Sequence, residues 1–292
     1  MTSQTSVLPQ WFKQAVPDKF KIQSMKTSFD SLGIHTVCEY CHCPNIGECW
    51  SSGVATFMIL GNRCTRNCRF CAIDSGFPSL VNQLEPDHVA KAVKALGLKY
   101  VVVTSVTRDD LEDGGSEQFS KTILAIKREV LGIKVEVLVP DFLGNENLIK
   151  RVVDVNPDVF GHNLETVERL SSLFRPQADW QRSLNVLKFV KQLNPELLTK
   201  SGFMVGLGET TQEIHELMQN LREADCDLLT IGQYLAPSID SRHLKVSCFV
   251  TPNEFDEYKR FGESIGFKNV LSGPLVRSSY LAEQGYQACQ EK

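Results

Sequence analysis

The sequence lacks the marks of several protein classes. It has no basic tract and no RNA-binding motif, and its 31 Lys and Arg face 35 Asp and Glu for a net charge of −4. Nucleic acid is therefore not an expected partner. The longest apolar runs, such as Val54–Leu60, fall far short of the roughly 20 residues that cross a bilayer. Met1–Lys19 mixes Gln, Trp, Lys and Pro without an apolar core, so it does not read as a secretory signal. No membrane partner is expected, and the expected location is cytoplasmic. No G-x-G-x-x-G follows the first strand pattern, which argues against a dinucleotide-binding unit. Low-complexity segments are missing, and no acid–base pair stands out.

What is there begins with an ordinary core composition. The 292 residues are 42% hydrophobic and 23% charged, enough for a sizeable interior. Length alone allows one large domain or two small ones. Ten residues are cysteine, and seven of these lie between Cys38 and Cys71. In a reducing compartment such clustering points to metal or redox roles rather than disulfides.

Residues 1–53 read as irregular. From Val54 onward, strand and helix patterns alternate. Strands are expected at Val54–Leu60, Tyr100–Val106, Lys134–Val139, Asp158–His162, Thr199–Val205 and Asp227–Gln233. Helical faces are carried by Val89, Ala92, Val93 and Leu96; by Phe119, Ile123, Ile126 and Val130; by Ile214, Leu217 and Leu221; and by Phe255, Tyr258, Phe261 and Ile265. A further helix is expected near Leu148–Val153, and a last apolar stretch covers Val270–Val276. This rhythm implies βαβ units and a parallel sheet. Six units predict an α/β fold of the partial (β/α)6, TIM-like barrel type. Barrel sites lie at the C-terminal strand ends. Those ends carry Cys64, Cys68 and Cys71, then Thr107–Asp110, Pro140-Asp141, His162–Glu165, Gly206–Glu209 and Gln233.

Cys64, Cys68 and Cys71 form C-x₃-C-x₂-C directly after a strand. Three thiolates can hold three irons of a [4Fe–4S] cubane and leave the fourth open to a small ligand. The rival is a zinc site, which usually pairs two C-x₂-C knuckles or adds histidines. Cys38, Cys43 and Cys49 form C-x₄-C-x₅-C followed by Trp50, for which zinc or a reduced thiol cluster would compete. Cys41 reads as a bystander thiol that could confuse that triad. Cys226, Cys248 and Cys289 read as small hydrophobes. Arg108 and Asp110 either position a ligand or form a rim ion pair, and His42 either approaches a cluster sulfide or caps a turn.

The first triad, with Phe70 before its last cysteine, is similar to the signature of radical S-adenosylmethionine (SAM) enzymes. Together with the second triad and several further blocks, it makes the chain resemble the lipoyl synthase family. Those blocks are Thr104–Gly115, His162–Thr166, Gly206–Thr210, Gln233–Ser238 and Gly273–Ala282, the last containing R-S-S-Y-x-A. The resemblance spans His35 to Ala282.

It implies two [4Fe–4S] clusters, one on Cys64, Cys68 and Cys71, the other an auxiliary cluster on Cys38, Cys43 and Cys49. Ser279 is implied as its fourth ligand, with Ser278 the runner-up. It implies SAM as cofactor, with Asn163, Gly206 and Glu209 in its binding. The implied organisation is an extension over 1–53, a radical SAM barrel over 54–273, and a tail over 274–292 closing over the barrel mouth. The implied reaction inserts two sulfur atoms, at C6 and C8 of an octanoyl chain. That chain is carried on a lysine of a 2-oxoacid dehydrogenase lipoyl domain or of the glycine-cleavage H protein, and the auxiliary cluster donates the sulfur. A ferredoxin or flavodoxin as low-potential electron donor and an iron–sulfur carrier are the further implied partners.

Overall fold

The computed structural model describes residues 8–13, 18–240 and 242–290. Most of Met1–Lys19, where no secretory signal is read, lies outside these residues, as do the last two positions of the tail. After a 3₁₀ turn at Gln10–Phe12 come α1 (Lys19–Leu32), β1 (His35–Thr36), α2 (Val37–Tyr40) and α3 (Ile46–Ser51). β2 (Thr56–Ile59) is followed by a ribbon of β3 (Arg63–Cys64) and β4 (Asp74–Ser75). Next are α4 (Glu85–Ala95), β5 (Tyr100–Ser105), α5 (Ser116–Glu129), β6 (Lys134–Leu138), α6 (Glu146–Val153) and β7 (Val159–Gly161). The second half carries α7 (Glu168–Phe174), α8 (Trp180–Leu193), β8 (Leu198–Val205), α9 (Thr211–Glu223) and β9 (Leu228–Gln233). It ends with α10 (Pro252–Ser264), β10 (Asn269–Gly273) and α11 (Ala282–Gln290).

One sheet of eight strands runs β1-β2-β5-β6-β7-β8-β9-β10, with β1 and β10 at its edges, so the barrel is open. β1 pairs antiparallel with β2, and the other seven strands are parallel. All six expected strands are present. The stretch expected only to be apolar at Val270–Val276 supplies a seventh, β10, in register from Asn269 against Leu228 to Gly273 against Gly232. Alternate strand residues point outward into the helices. Val101, Val103, Val135 and Val137 pack with Val89, Phe119, Ile123 and Ile149, while Phe203, Val205 and Ile231 pack with Leu217, Leu221 and Phe255. Each fully buried side chain of this kind contributes about 1.5–3 kcal/mol. Capping boxes start α9 at Thr210 and Glu213 and α10 at Thr251 and Glu254.

Two expectations are corrected. The described residues among 1–53 are not irregular: α1 buries Met25 and Phe29, four residues apart, and Phe29 stands edge-on to Trp50 and Phe57 at 5.6 and 5.8 Å. Sparse apolar residues among Lys, Ser and Thr hide this helix from a pattern reading. Nor does the tail close over the mouth. The interior-facing glycines Gly202 and Gly232 make room for it within the barrel, since a Cβ at Gly232 would strike the carbonyl oxygen of Val276 and one at Gly202 would stand 3.3 Å from Ser278 Oγ. α11 then seals the opposite end: Tyr286 packs against Tyr100, Val159, Leu198 and Leu228, which begin β5, β7, β8 and β9. Above it lies a buried polar floor, with Lys200 Nζ 2.7 Å from Glu136 and the Tyr100 hydroxyl donating to the same carboxylate. α7 and α8, for which no pattern was read, bring Arg175 and Arg182 to the mouth. Among the described residues no helix is long and apolar enough to cross a membrane.

Candidate active site at the barrel mouth

The first triad hangs from the β3–β4 ribbon. Cys64 ends β3, and Gly76 N–H donates to its carbonyl at 2.9 Å. The Cys64 sulfur accepts from the backbone N–H groups of Arg66 and Thr107 at 3.4 and 3.3 Å. Buried Arg66 ties this loop to two strand ends, gripping Asp109 with two hydrogen bonds of 2.7 and 2.9 Å and Asp141 with one of 2.7 Å. Arg182 reaches the other Asp141 oxygen at 2.9 Å. Burial opposes the Asp141 charge, but Arg66, with help from Arg182, holds its carboxyl well below the ordinary range. His243 Nε2 sits 3.0 Å from the Cys71 carbonyl oxygen and closes the far side.

Charge is arranged around these thiols. Burial pushes Cys68 up to about 12, and the positive Arg175 works against it. Arg175 is fixed by the carbonyls of Asn163 and Leu164 at 3.3 and 3.2 Å. Cys71 is lowered, chiefly because the Cys41 thiol donates to its sulfur. Burial raises the Glu165 carboxyl, which stands beside Cys68 and Cys71. His162 is fully buried and donates from Nδ1 to Val139 O at 2.8 Å, leaving Nε2 without a partner among the described residues. Burial and Arg175 lower it to about 4, so it is neutral at physiological pH.

The second triad is carried by two short helices. Thr36 caps α2 by accepting from Glu39 N, and Cys38 is buried within that helix. Exposed His42, at φ 49°, turns the chain toward Cys43. Cys49 lies on α3, where its N–H donates to Asn45 O at 2.9 Å. Burial raises all three thiols, Cys49 to about 12. Opposing this are backbone N–H groups near Cys38 and Cys43 and the Arg277 charge at Cys43.

The tail completes this region. Asn45 Nδ2 donates to Leu275 O at 2.7 Å, Thr56 Oγ1 to Ser279 Oγ at 2.7 Å, and the Tyr280 hydroxyl to Glu48 at 3.0 Å. Ser278 turns the other way and accepts from Asn163 Nδ2 at 2.6 Å. Ser279 thus faces the auxiliary side and Ser278 the barrel side.

Asn163 also donates to Glu165 at 3.1 Å. Glu209 accepts from the backbone N–H groups of Gly206 and Leu207 at 2.5 and 2.9 Å, so its carboxylate holds its own turn. Gly206 has φ 92°, and a Cβ there would strike Gln233 and Cys248 O. Arg108 and Asp110 form a rim ion pair, with two contacts of 2.8 and 2.9 Å. Cys226 is buried, whereas Cys248 is exposed and not the buried hydrophobe expected. Sequence reasoning passed over Thr56, Arg66, Arg175 and Arg182; of these only Arg66, inside the first triad, carried a local signal.

Among the described residues no three His, Cys, Asp or Glu side chains could hold a single metal ion. The fit to clusters rests on the surroundings of the thiols. The buried Trp50 Nε1–H has no hydrogen-bond partner among the described residues and lies by Cys38. Arg277 is pushed down by burial and countered by the charges of Cys43 and Cys41. Both features suit an anionic cluster in the auxiliary triad, as the two N–H donors to Cys64 and the Arg175 charge suit one in the first.

The radical SAM superfamily model matches residues 58–221. The lipoyl synthase of Caldanaerobacter subterraneus subsp. tengcongensis is 54% identical over 277 residues, covering 95% of this chain and 96% of the relative. That of Pyrobaculum calidifontis is 50% identical over 281 residues, covering 96% of each chain. That of Thermus thermophilus is 48% identical over 278 residues, covering 94% of this chain and 85% of the relative. Among solved structures, methylornithine synthase aligns with TM-score 0.57 at 14% identity over 86% of this chain and 71% of its own. The [FeFe]-hydrogenase maturase HydG aligns with TM-score 0.52 at 13% identity over 93% of this chain and 64% of its own. These structural likenesses show the fold.

Proposed function

The chain belongs to the lipoyl synthase family of the radical SAM superfamily, and from that premise we propose that it inserts sulfur at C6 and C8 of an octanoyl chain on a carrier-domain lysine. The observation that carries this reading is the tail that joins the two sides: Ser278 accepts from Asn163 in the barrel, and the next residue, Ser279, accepts from Thr56 on the side of the second triad. An octanoyl chain held between the two sides could then lose a hydrogen to a radical made at the first triad and accept sulfur from the second at the same carbon. When bound, the cluster on Cys64, Cys68 and Cys71 supplies the electron that cleaves SAM to a radical able to take hydrogen from an unactivated C–H bond, and the auxiliary cluster supplies sulfide.

The protein's part is to hold and enclose. Arg66, Asp109 and Asp141 fix the loop of the first triad, so its thiols stay in one arrangement through two rounds of chemistry. Asn163 presents its amide to the lumen and is oriented by Glu165 and Ser278; we assign it to SAM. Glu209 acts on SAM through the Gly206 turn it holds. On the auxiliary side Cys38, Cys43, Cys49 and Ser279 are the four proposed ligands. An oxygen ligand matches iron less well than thiolate does, which suits a cluster that must be opened. Arg277 offsets the charge. A 2-oxoacid dehydrogenase lipoyl domain or the glycine-cleavage H protein is the proposed carrier, with ferredoxin or flavodoxin as electron donor and an iron–sulfur carrier for rebuilding.

The test is anaerobic mass spectrometry of an octanoyl-lysine peptide after incubation with reconstituted protein, SAM and reductant. A product containing two added sulfur atoms is expected. An unchanged peptide in the presence of SAM cleavage would overturn the sulfur-insertion reading.

A further inference from the structure

Thr56, the first residue of β2, lies between the tail and the auxiliary cysteines. It is buried. The next residue, Phe57, pairs with Thr36, the cap of the helix that carries Cys38, and the Thr56 hydroxyl donates to Ser279 Oγ at 2.7 Å. Thr56 therefore stands between the helix of one proposed thiolate ligand and the proposed oxygen ligand. The other ties of the tail act at a distance from that oxygen: Asn45 grips the carbonyl of Leu275, and Glu48 takes the hydroxyl of Tyr280. These two pins fix the course of the backbone on either side of Ser279. They leave the χ1 rotation of Ser279 free. A serine hydroxyl otherwise rotates among three staggered positions, and its neighbour Ser278 is already committed to Asn163 on the barrel side.

We propose that Thr56 is the positioning residue of the auxiliary site, holding the Ser279 oxygen in the one rotamer that faces Cys38, Cys43 and Cys49. This rests on the reading of Ser279 as the fourth ligand. The geometry gives the hydroxyl of Thr56 a task that its methyl group does not share. When the serine oxygen carries charge on iron, the hydrogen bond it accepts is charge-assisted and stronger than a neutral one. When the iron is lost, the same bond keeps the freed hydroxyl in place for reassembly. Thr56→Val keeps the shape and the β-branching that suit a strand and removes only the hydroxyl. Thr56→Ser keeps the hydroxyl.

The experiment uses the full chain with Cys64, Cys68 and Cys71 changed to Ala, reconstituted with ⁵⁷Fe so that only the auxiliary cluster contributes to the Mössbauer spectrum. Ser279→Ala is measured first. It is expected to alter one iron site, and an unchanged spectrum would remove Ser279 as a ligand and the proposal with it. With Ser279 confirmed, Thr56→Val is expected to alter that same iron site and to speed the loss of one iron to a chelator about tenfold, the scale of one hydrogen bond to a charged group. Thr56→Ser is expected to restore both readouts. The double variant Thr56→Val with Ser279→Ala should match Ser279→Ala alone. A wild-type spectrum for Thr56→Val would overturn the proposal. So would equal damage from Thr56→Val and Thr56→Ser, which would place the effect in packing. If Thr56→Val failed to load iron, circular dichroism of its fold and the Thr56→Ser spectrum decide: a folded Val variant beside a normal Ser variant supports the hydroxyl, and a damaged Ser variant overturns it.

Discussion

The two cysteine triads are held in opposite ways. The Cys64–Cys71 loop is fastened by the barrel itself, through a buried arginine bonded to two aspartates at neighbouring strand ends and by backbone N–H donors to sulfur. Its anchors are charged and many, and all belong to the sheet and the loops leaving it. The Cys38–Cys49 segment is joined by two single hydrogen bonds to a tail about 230 residues away, a third joins that tail to Thr56 at the start of β2, and a positive charge, Arg277, comes from that same tail. A site built by a sheet keeps its shape when a ligand leaves. A site closed by two chain ends can open by moving one of them. The difference suits the roles proposed for them: the first triad would return unchanged after each electron transfer, whereas the second would surrender atoms and be refilled.

The largest break in this comparison comes from removing each triad in turn. With Cys64, Cys68 and Cys71 changed to Ala, iron should fall from about eight to about four per chain and 5′-deoxyadenosine formation should cease. With Cys38, Cys43 and Cys49 changed to Ala, iron should fall equally, yet SAM cleavage should survive while no carbon–sulfur bond forms. Iron analysis with quantified 5′-deoxyadenosine checks both, and equal loss of cleavage in the two variants would erase the functional distinction.

An intermediate effect is expected at Arg66. Arg66→Met leaves Asp141 buried with only Arg182 to compensate it and should cost about 3 kcal/mol of stability, seen as a lower melting temperature. The pH dependence has a definite sign. Because the folded Asp141 pKa is depressed, its stabilisation is fully present above the ordinary carboxylate range and is lost as pH falls through the folded value. Denaturation between about pH 5 and pH 2 should therefore be shallower in Arg66→Met than in the wild type, and an identical acid limb would show that Arg66 does not hold Asp141.

The smallest effect should come from Tyr280→Phe, which removes one exposed hydrogen bond from the auxiliary side. Stability should change by about 0.5–1 kcal/mol at most. Chelator-driven iron loss from the auxiliary cluster should rise about two- to fivefold, on the same scale, with the first cluster unaffected. Faster loss from both clusters would mean that the tail supports the whole mouth and not one side of it.

The strands and most helices were legible because their signals are short-range. A strand buried on its outer face repeats every two residues, an amphipathic helix every three or four, and both triads keep their ligands within about a dozen residues. α1 escaped because its buried stripe is only Met25 and Phe29 amid polar residues, and β10 because a strand of five residues at a sheet edge has almost no period to read. By itself, then, the sequence determined the barrel rhythm, the two cysteine spacings and the chemistry they can support. Only the tertiary structure decided that the tail enters the barrel past Gly202 and Gly232, that Ser279 meets Thr56 while Ser278 meets Asn163, and that the Arg277 charge lies near Cys43 and Cys41. Two adjacent serines are chemically identical along the chain. What separates them is the side of the backbone each side chain leaves from, and that is fixed by packing between residues more than 200 positions apart.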